Sequence, residues 1–193
     1  MKAVVINRQD RPERLRESQR QFKEYGMDVE IFPAVIDSPG WKGCRDSHLA
    51  VFDKYKDEKF ILVFEDDVLF LSDPMLPIAQ AIGELPSDWD VLYLGISPTQ
   101  RYAKFSPHLY RVNGGYTTHA ILWNNRDHGA VNYVLTHRND ILKIDVFFSS
   151  VIHKVFHCYV IYPILCTQVQ YKSDTCHRSD ASSIERNYHK YVY

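Results

Sequence analysis

Three consecutive carboxylates follow a short apolar run in the first half of the chain. Residues 60–64 read Phe-Ile-Leu-Val-Phe, and Glu65, Asp66 and Asp67 come directly after them. Such a run is typical of a buried strand in a parallel sheet, and open α/β sheets bind ligands at the carboxyl ends of their strands. A divalent cation prefers oxygen ligands and offsets the repulsion between neighbouring carboxylates. The pattern therefore predicts a metal site here, with a solvated acidic turn as the alternative.

An extended backbone would send the three acids in two directions. If the strand continues through them, Glu65 and Asp67 point to one face of the sheet and Asp66 to the other. Two carboxylates on one face can hold Mn²⁺ or Mg²⁺, which in turn binds a diphosphate. We therefore predict that Glu65 and Asp67 are metal ligands, and that Asp66 faces a ribose, a neighbouring N–H or the sheet.

Four further polar residues have types that suit catalysis or binding. Ser47 and His48 fall on a predicted helix, where a histidine is also a common capping or packing residue. Asp145 begins another predicted helix, as its N-cap or as a general base aimed into a cleft. His177 lies in a polar segment, where it would complete a metal site or simply be solvated.

The order of the predicted elements is that of an α/β protein. A strand over 3–6, a helix over 12–25 and a strand over 29–35 form a βαβ opening, so these two strands are predicted to be parallel. Further helices are predicted over 45–55, 73–85, 127–134 and 146–156, and further strands over 89–95, 109–112, 117–123 and 158–165. Asn113-Gly114 predicts a tight turn between the strands over 109–112 and 117–123. We expect one domain over 1–193, with residues 170–193 as a polar tail or lid.

Composition argues against several classes of protein. The 193 residues carry 23 basic and 24 acidic side chains, and this balance predicts no nucleic-acid partner. No apolar stretch reaches the length of a transmembrane helix and the first residues do not form a signal peptide, so we predict a cytoplasmic protein without a transmembrane segment. The four cysteines show no CxxC pairing, which favours reduced thiols over a standard zinc site. P-loop, GxGxxG, GxSxG and HExxH motifs are absent from the sequence.

Taken in order, the motifs resemble those of glycosyltransferase family 25, which includes bacterial lipooligosaccharide galactosyltransferases and procollagen galactosyltransferases. The matching segments are Ile6-Asn7-Arg8 with Arg11-Pro12-Glu13-Arg14, Phe32-Pro33-Ala34-Val35, Gly43-Cys44 with Ser47-His48, Leu62 to Val68, Trp89-Asp90 with Leu94-Gly95, Thr118-His119-Ala120, Ile144-Asp145, and Pro163 with Gln168 and Ser173-Asp174. Thr117 and Ile121 depart from the family pattern, which has glycine and tyrosine at these positions.

The resemblance implies a GT-A fold, a Rossmann-like single domain with a mixed, mostly parallel central sheet flanked by helices. It also implies a UDP-sugar or other nucleotide-diphosphate sugar donor, a divalent cation that is usually Mn²⁺ with Mg²⁺ as the alternative, and inversion at the anomeric carbon. The acceptor would be a hydroxyl of a glycan, a lipid-linked saccharide or a glycoprotein. A catalytically silent nucleotide-sugar-binding module and a different metal-dependent, phosphate-handling enzyme are the alternatives.

The resemblance also implies roles for individual residues. Glu65 and Asp67 would be the metal acids, with His177 as a further metal ligand and Asp66 reaching the ribose or the metal through water. Asp145 would be the base that deprotonates the acceptor. The residues expected to contact the nucleotide are Asn7, Arg8, Arg11, Ala34, Val35, Ser47 and His48.

Overall fold

A mixed sheet organises the part of the chain that the computed structural model describes, residues 1–126, 129–169 and 190–191. Within those residues the sheet has eight strands. In spatial order they are β2 (Glu30–Pro33), β1 (Lys2–Asn7), β3 (Phe60–Glu65), β10 (Ala120–Asn124), β5 (Val91–Tyr93), β11 (Cys158–Ile161), β8 (Leu109–Arg111) and β7 (Ala103–Lys104). Two smaller pairs join β4 (Val68–Phe70) to β12 (Cys166–Gln168) and β6 (Ser97–Pro98) to β9 (Gly115–Tyr116).

Most strands of the large sheet run in one direction. β1 is parallel to both β2 and β3, and β11 is parallel to β5. β10 is antiparallel to its neighbours β3 and β5, and β8 is antiparallel to β11 and β7. The prediction of a mixed, mostly parallel sheet flanked by helices is therefore confirmed, as is the parallel βαβ opening.

Helices connect the strands and cover the sheet. They are α1 (Pro12–Glu24), α2 (Gly40–Tyr55), α3 (Met75–Glu84) and α4 (Ala130–Thr136), followed by a 3-10 turn at Arg138–Asp140. A last helical run consists of α5 (Ile144–Phe147), a π-helical turn (Phe148–Ile152) and α6 (His153–Val155). The helix predicted over 45–55 begins five residues earlier, at Gly40.

Strand β3 is apolar from Phe60 to Phe64 because both of its faces are buried. Val63 faces the core cluster that contains Phe52 of α2, while Phe64 faces the cluster that contains Phe22 of α1. The ring centroids of Phe22 and Phe64 are 5.0 Å apart. Fully burying a side chain of this size contributes about 1.5–3 kcal/mol, so the two clusters hold β3 rigidly between α1 and α2.

The tight hairpin predicted at Asn113-Gly114 is wrong. β8 pairs with β11 and β7, whereas β10 lies between β3 and β5. The apolar side chains of Ile121 and Trp123 in β10 are fully buried in this position between β3 and β5. β8 and β10 run in the same direction, because each is antiparallel to one of the two parallel strands β11 and β5. A local turn signal does not decide which strands pair.

Two further expectations concern a transmembrane helix and the C-terminal segment. No helix in the described ranges is long and apolar enough to cross a membrane. The predicted tail or lid over 170–193 lies outside the described residues, apart from 190–191.

Candidate active site

The three acids lie where β3 ends. The strand stops at Glu65, and Asp66 and Asp67 form a turn before β4 begins at Val68. The prediction that the strand stays extended through the acids is therefore wrong. The chain turns here because β4 leaves the large sheet and pairs with β12.

Glu65 is anchored by two side chains from neighbouring elements. Its Oε1 atom lies 3.0 Å from Nε2 of His48 in α2 and accepts a hydrogen bond from the hydroxyl of Thr118. Its backbone N–H donates to the carbonyl oxygen of His119 at 3.0 Å. Burial acts to raise the pKa of Glu65, but His48 and Thr118 outweigh burial and hold that pKa below its ordinary value. Glu65 is therefore an ionised carboxylate in a fixed orientation.

Asp66 points toward α1. Its Oδ2 atom accepts a hydrogen bond from Nδ2 of Asn7 at 2.7 Å, and Oδ1 lies 3.5 Å from the guanidinium group of Arg14. The side chains of Arg14 and Asp66 are each 11% exposed. Burial raises the pKa of Asp66, and Asn7 and Arg14 act against that rise. The contacts tie the loop after β1 to the end of β3.

Asp67 is a buried carboxyl group, and only one of its two oxygens has a hydrogen-bond partner among the described residues. Its Oδ2 atom accepts a hydrogen bond from Nε2 of Gln168 at 3.0 Å. Its Oδ1 atom is buried and has no hydrogen-bond partner among the described residues. Burial, followed by the charges of Glu65 and Asp66, raises the pKa of Asp67 to about 8. A cation beside Oδ1 would supply the compensation that this carboxylate lacks.

Asp145 approaches the same end of the sheet from α5. Burial raises the pKa of the Cys44 thiol in α2, and the charges of Glu65, Asp145 and Asp67 raise it further. All three carboxylates therefore lie close enough to Cys44 to act on it. Glu65 and Asp67 both act on Cys44, although the chain turns between them, and their shared role as metal ligands stays a prediction. Asp145 is half-buried, and one of its oxygens accepts the N–H of Val146 at 2.8 Å.

The other residues predicted to contact a nucleotide lie along the ends of β1 and β2. The N–H of Ala34 donates to the carbonyl oxygen of Asn7 at 2.9 Å, and Val35 is 39% exposed. Ser47 is buried; its hydroxyl accepts the N–H of Val35 at 2.9 Å and donates to the carbonyl oxygen of Gly43 at 2.6 Å. A side chain at position 43 would lie 2.6 Å from the Val35 carbonyl oxygen, so only glycine lets α2 approach this loop.

The loop after β1 carries the two arginines that sequence reasoning assigned to the nucleotide. The guanidinium group of Arg8 donates to both carboxylate oxygens of Asp10, at 3.0 and 2.7 Å. The backbone N–H of Arg11 donates to the carbonyl oxygen of Arg8 at 3.0 Å, which closes the turn into α1. His177, the predicted additional metal ligand, lies outside the described residues.

Sequence reasoning missed four residues that contact the acids: Arg14, Cys44, Thr118 and Gln168. Cys44 and His48 are four residues apart on α2, so the helical period already places both on one face. All four residues belong to recognised motifs, but nothing local indicates that the side chains of Arg14, Thr118 and Gln168 reach the acids.

Thr117 adopts a backbone conformation that is rare for its residue type. Its φ angle is +80°, in the left-handed region that disfavours β-branched side chains. The next residue, Thr118, donates its hydroxyl hydrogen bond to Glu65. The strained position therefore lies directly before a residue that holds the site together, which is where such strain is commonly found.

A comparison with known protein families identifies the chain. The model described as "Glycosyltransferase family 25 (LPS biosynthesis protein)" matches residues 38–138, just over half of the chain. This protein belongs to glycosyltransferase family 25. The matched range includes α2 with Cys44 and His48, the three acids, and Thr118. The family resemblance inferred from the motifs is therefore confirmed.

A curated relative and two solved structures are similar to this chain. The relative is a "Glycosyltransferase 25 family member" of Aedes aegypti, 28% identical over 123 residues, which are 47% of this chain and 20% of that protein. The chain thus matches about a fifth of the length of that relative. A glycosyltransferase involved in the glycosylation of the major capsid of PBCV-1 superposes with a TM-score of 0.56 at 11% identity, over 96% of this chain and 98% of the other.

The second solved structure, A197 from STIV, has a TM-score of 0.52 at 13% identity, over 89% of this chain and 87% of the other. At these identities the superpositions establish the fold. The family 25 chain has a GT-A fold, as the family resemblance implied.

Proposed function

We propose that this family 25 chain is a metal-dependent transferase that moves a sugar from a nucleotide-diphosphate donor, a UDP-sugar, to an acceptor hydroxyl with inversion. The acceptor is a glycan, a lipid-linked saccharide or a glycoprotein. Family membership and the GT-A fold support glycosyl transfer. The observation that carries the metal dependence is Asp67, a buried carboxyl group whose Oδ1 atom has no hydrogen-bond partner among the described residues.

The acids at the end of β3 fit a divalent cation. Carboxylate oxygens are the ligands that Mn²⁺ and Mg²⁺ prefer, and Asp67 offers a buried oxygen that lacks a partner. In this proposal Glu65 and Asp67 hold the cation, and His177 is a further candidate ligand. When bound, the cation supplies positive charge that stabilises the departing diphosphate.

The ends of β1 and β2 are the proposed nucleotide site. Asn7 and Arg14 hold Asp66 in place, so its carboxylate is oriented before any donor arrives. Ala34 and Val35 present a small, partly exposed apolar surface that suits the flat face of a nucleobase. Arg8 and Arg11, in the adjacent loop, supply positive charge for phosphate groups. Ser47 supports this site by fixing the loop that carries Val35.

Asp145 is the proposed general base. Its carboxylate lies on α5, while the proposed metal acids lie at the end of β3 and in the turn after it, so the two chemical roles are assigned to separate elements. In an inverting transfer, the acceptor oxygen attacks the anomeric carbon as the bond to the diphosphate oxygen breaks. Asp145 takes the proton from the acceptor hydroxyl in that step. The half-buried position of Asp145 leaves it accessible to an acceptor from solvent.

Thermal unfolding with UDP, GDP and UDP-sugars, each with and without Mn²⁺, tests the proposal. A ligand at 100 times its Kd stabilises a protein by about 2.7 kcal/mol. For a domain of this size that raises the Tm by roughly 5–11 °C. We expect this shift with UDP compounds only when Mn²⁺ is present, followed by slow hydrolysis of the UDP-sugar.

Each alternative function has its own outcome in this experiment. A shift without hydrolysis, or without transfer to any acceptor, indicates a silent binding module. Metal-dependent cleavage of simple phosphate esters with no preference for nucleotide sugars indicates a different phosphate-handling enzyme. The absence of any shift with every nucleotide refutes the proposed donor site.

A further inference from the structure

One cluster at the end of β3 includes a thiol, which a manganese site does not require. Cys44, His48 and Glu65 each offer one ligand atom, and these three atoms all lie within 4.8 Å of one another. We propose that the cluster is a separate site for a thiophilic divalent cation such as Zn²⁺, and that its occupation inhibits the enzyme by capturing Glu65. The inhibitory consequence rests on the proposed function, whereas the metal binding does not.

The backbone already positions two of the three ligands. Cys44 and His48 are four residues apart in the sixteen-residue helix α2, so their side chains lie one above the other on the same face. His48 is 1% exposed and packs near the rings of Phe52 and Phe148, which restricts its orientation. A buried, oriented imidazole loses little rotational freedom when it coordinates a metal.

The distances suit a tetrahedral ion after a small adjustment. Zinc lies about 2.0 Å from nitrogen and oxygen ligands and about 2.3 Å from sulfur, so ligand atoms around it are roughly 3.2–3.8 Å apart. Nε2 of His48 and Oε1 of Glu65 are 3.0 Å apart. A movement of the Cys44 Sγ atom by about an ångström brings all three ligand atoms within zinc-binding distances. Three protein ligands leave a fourth position for water.

The ligand types decide which cation the cluster selects. A thiolate ligand favours Zn²⁺, whereas Mn²⁺ and Mg²⁺ bind chiefly through oxygen ligands. The nearby charges of Asp67 and Asp145, which act on Cys44, further favour a cation at this position. Glu65 is therefore shared by two proposed sites that select different cations. One is the zinc site with Cys44, and the other is the manganese site with Asp67.

Metal binding here requires two proton movements. The thiol proton of Cys44 leaves to solvent, because the thiolate is the ligand. The imidazole proton that lies between His48 and Glu65 moves from Nε2 to Nδ1, which frees Nε2 for the metal. Nδ1 has no hydrogen-bond partner in the described part of the chain, so no existing bond must break to accept that proton.

Cobalt(II) binding to the full chain tests the site directly, because a thiolate ligand produces a charge-transfer band in the near ultraviolet. We expect one Co²⁺ per chain with this band and displacement of Co²⁺ by Zn²⁺. Cys44→Ser is expected to abolish the band, while the matched variant Cys176→Ser retains it. Loss of the band in Cys176→Ser, with retention in Cys44→Ser, overturns the proposal.

X-ray absorption of the zinc-loaded wild-type chain provides a readout that no variant's folding affects. One sulfur neighbour at about 2.3 Å is expected, and a shell of oxygen and nitrogen alone overturns the proposal. Loss of a second-shell partner already costs about 10–100-fold in metal affinity. Cys44→Ser is therefore expected to need at least tenfold more Zn²⁺ for half-saturation.

The inhibitory consequence is measured separately, as transfer activity with Mn²⁺ at increasing Zn²⁺. Wild type is expected to lose activity as the zinc site fills, and Cys44→Ser is expected to require at least tenfold more Zn²⁺ for the same loss. If the chain binds zinc through Cys44 but shows no transfer with any donor, the proposed function fails and the metal site stands. If the chain transfers sugar but binds no zinc through Cys44, only the metal site fails.

Discussion

Replacing Asp67 with asparagine separates the charge of this side chain from its hydrogen bond. Asparagine retains an oxygen that can accept the Gln168 hydrogen bond, but it cannot ionise. The proposed metal site therefore loses a charged ligand, while the metal-free protein loses a buried carboxyl group. The first effect removes the stabilisation by Mn²⁺, whereas the second raises the free energy of unfolding at pH 7 without metal. The Asp67→Asn variant therefore distinguishes a functional carboxylate from a structural one.

The pKa of Asp67 determines the size of the effect without metal. That pKa is raised to about 8 in the folded protein from an ordinary value of 3.8, so the folded state holds the proton more tightly than the unfolded state does. Stability from this proton is complete below about pH 4 and is lost as the pH rises toward 8. At pH 7 the loss has an upper limit of about 4 kcal/mol, and 2–4 kcal/mol is expected.

Asparagine does not titrate, so Asp67→Asn avoids this loss. Without metal, the variant is expected to match wild type near pH 4 and to unfold roughly 4–16 °C higher at pH 7. Added Mn²⁺ is expected to stabilise wild type and to leave the variant unchanged. Thermal unfolding between pH 4 and pH 8.5, with EDTA or with Mn²⁺, measures both effects.

The matched control for Asp67→Asn is an exposed carboxylate outside the site. Asp53 forms a surface ion pair with Arg138 at 2.9 Å, and its side chain is 47% exposed. Such pairs contribute about 0–1 kcal/mol, so Asp53→Asn is expected to change the free energy of unfolding little and to keep the response to Mn²⁺. Our interpretation of Asp67 is refuted if Asp67→Asn is less stable than wild type at pH 7 without metal, or if Mn²⁺ stabilises both equally.

Three further variants test the base, the anchoring of Glu65 and the packing of the site. Asp145→Asn is expected to lower the rate of sugar transfer by about 10²–10⁴-fold without changing UDP binding by calorimetry, and near-parental transfer would exclude Asp145 as the base. Thr118→Val removes a hydrogen bond to the Glu65 carboxylate and is expected to cost about 1.5–3 kcal/mol in denaturant unfolding; a loss below 0.5 kcal/mol would contradict that contact. A Cβ atom on Gly95 would collide with a carbonyl oxygen of β12, so Gly95→Ala is expected to lower the Tm by several degrees. Gly83→Ala is the matched control, since no atom lies within 4 Å of its added carbon in α3, and equal Tm values for the two variants would refute the packing argument.

The sequence alone determined the features that depend on neighbouring residues. The apolar run of β3 followed by three acids, and the βαβ opening before it, were readable because strand burial and helical period are local patterns. The order of short motifs also indicated the family, which the family model confirms. Local patterns equally explain the wrong prediction at Asn113-Gly114, where a turn was expected to join two adjacent strands.

Only the tertiary structure decided how the acids differ from one another. β10 pairs with β3 and buries its apolar residues between β3 and β5, and this pairing brings Thr118 to Glu65. α1 brings Arg14 to Asp66, and the β4–β12 pair brings Gln168 to Asp67. The three acids are consecutive in the chain, but their ionisation depends on partners more than fifty positions away, apart from the nearer His48. Burial and charge depend on distance in space, and sequence order does not fix that distance.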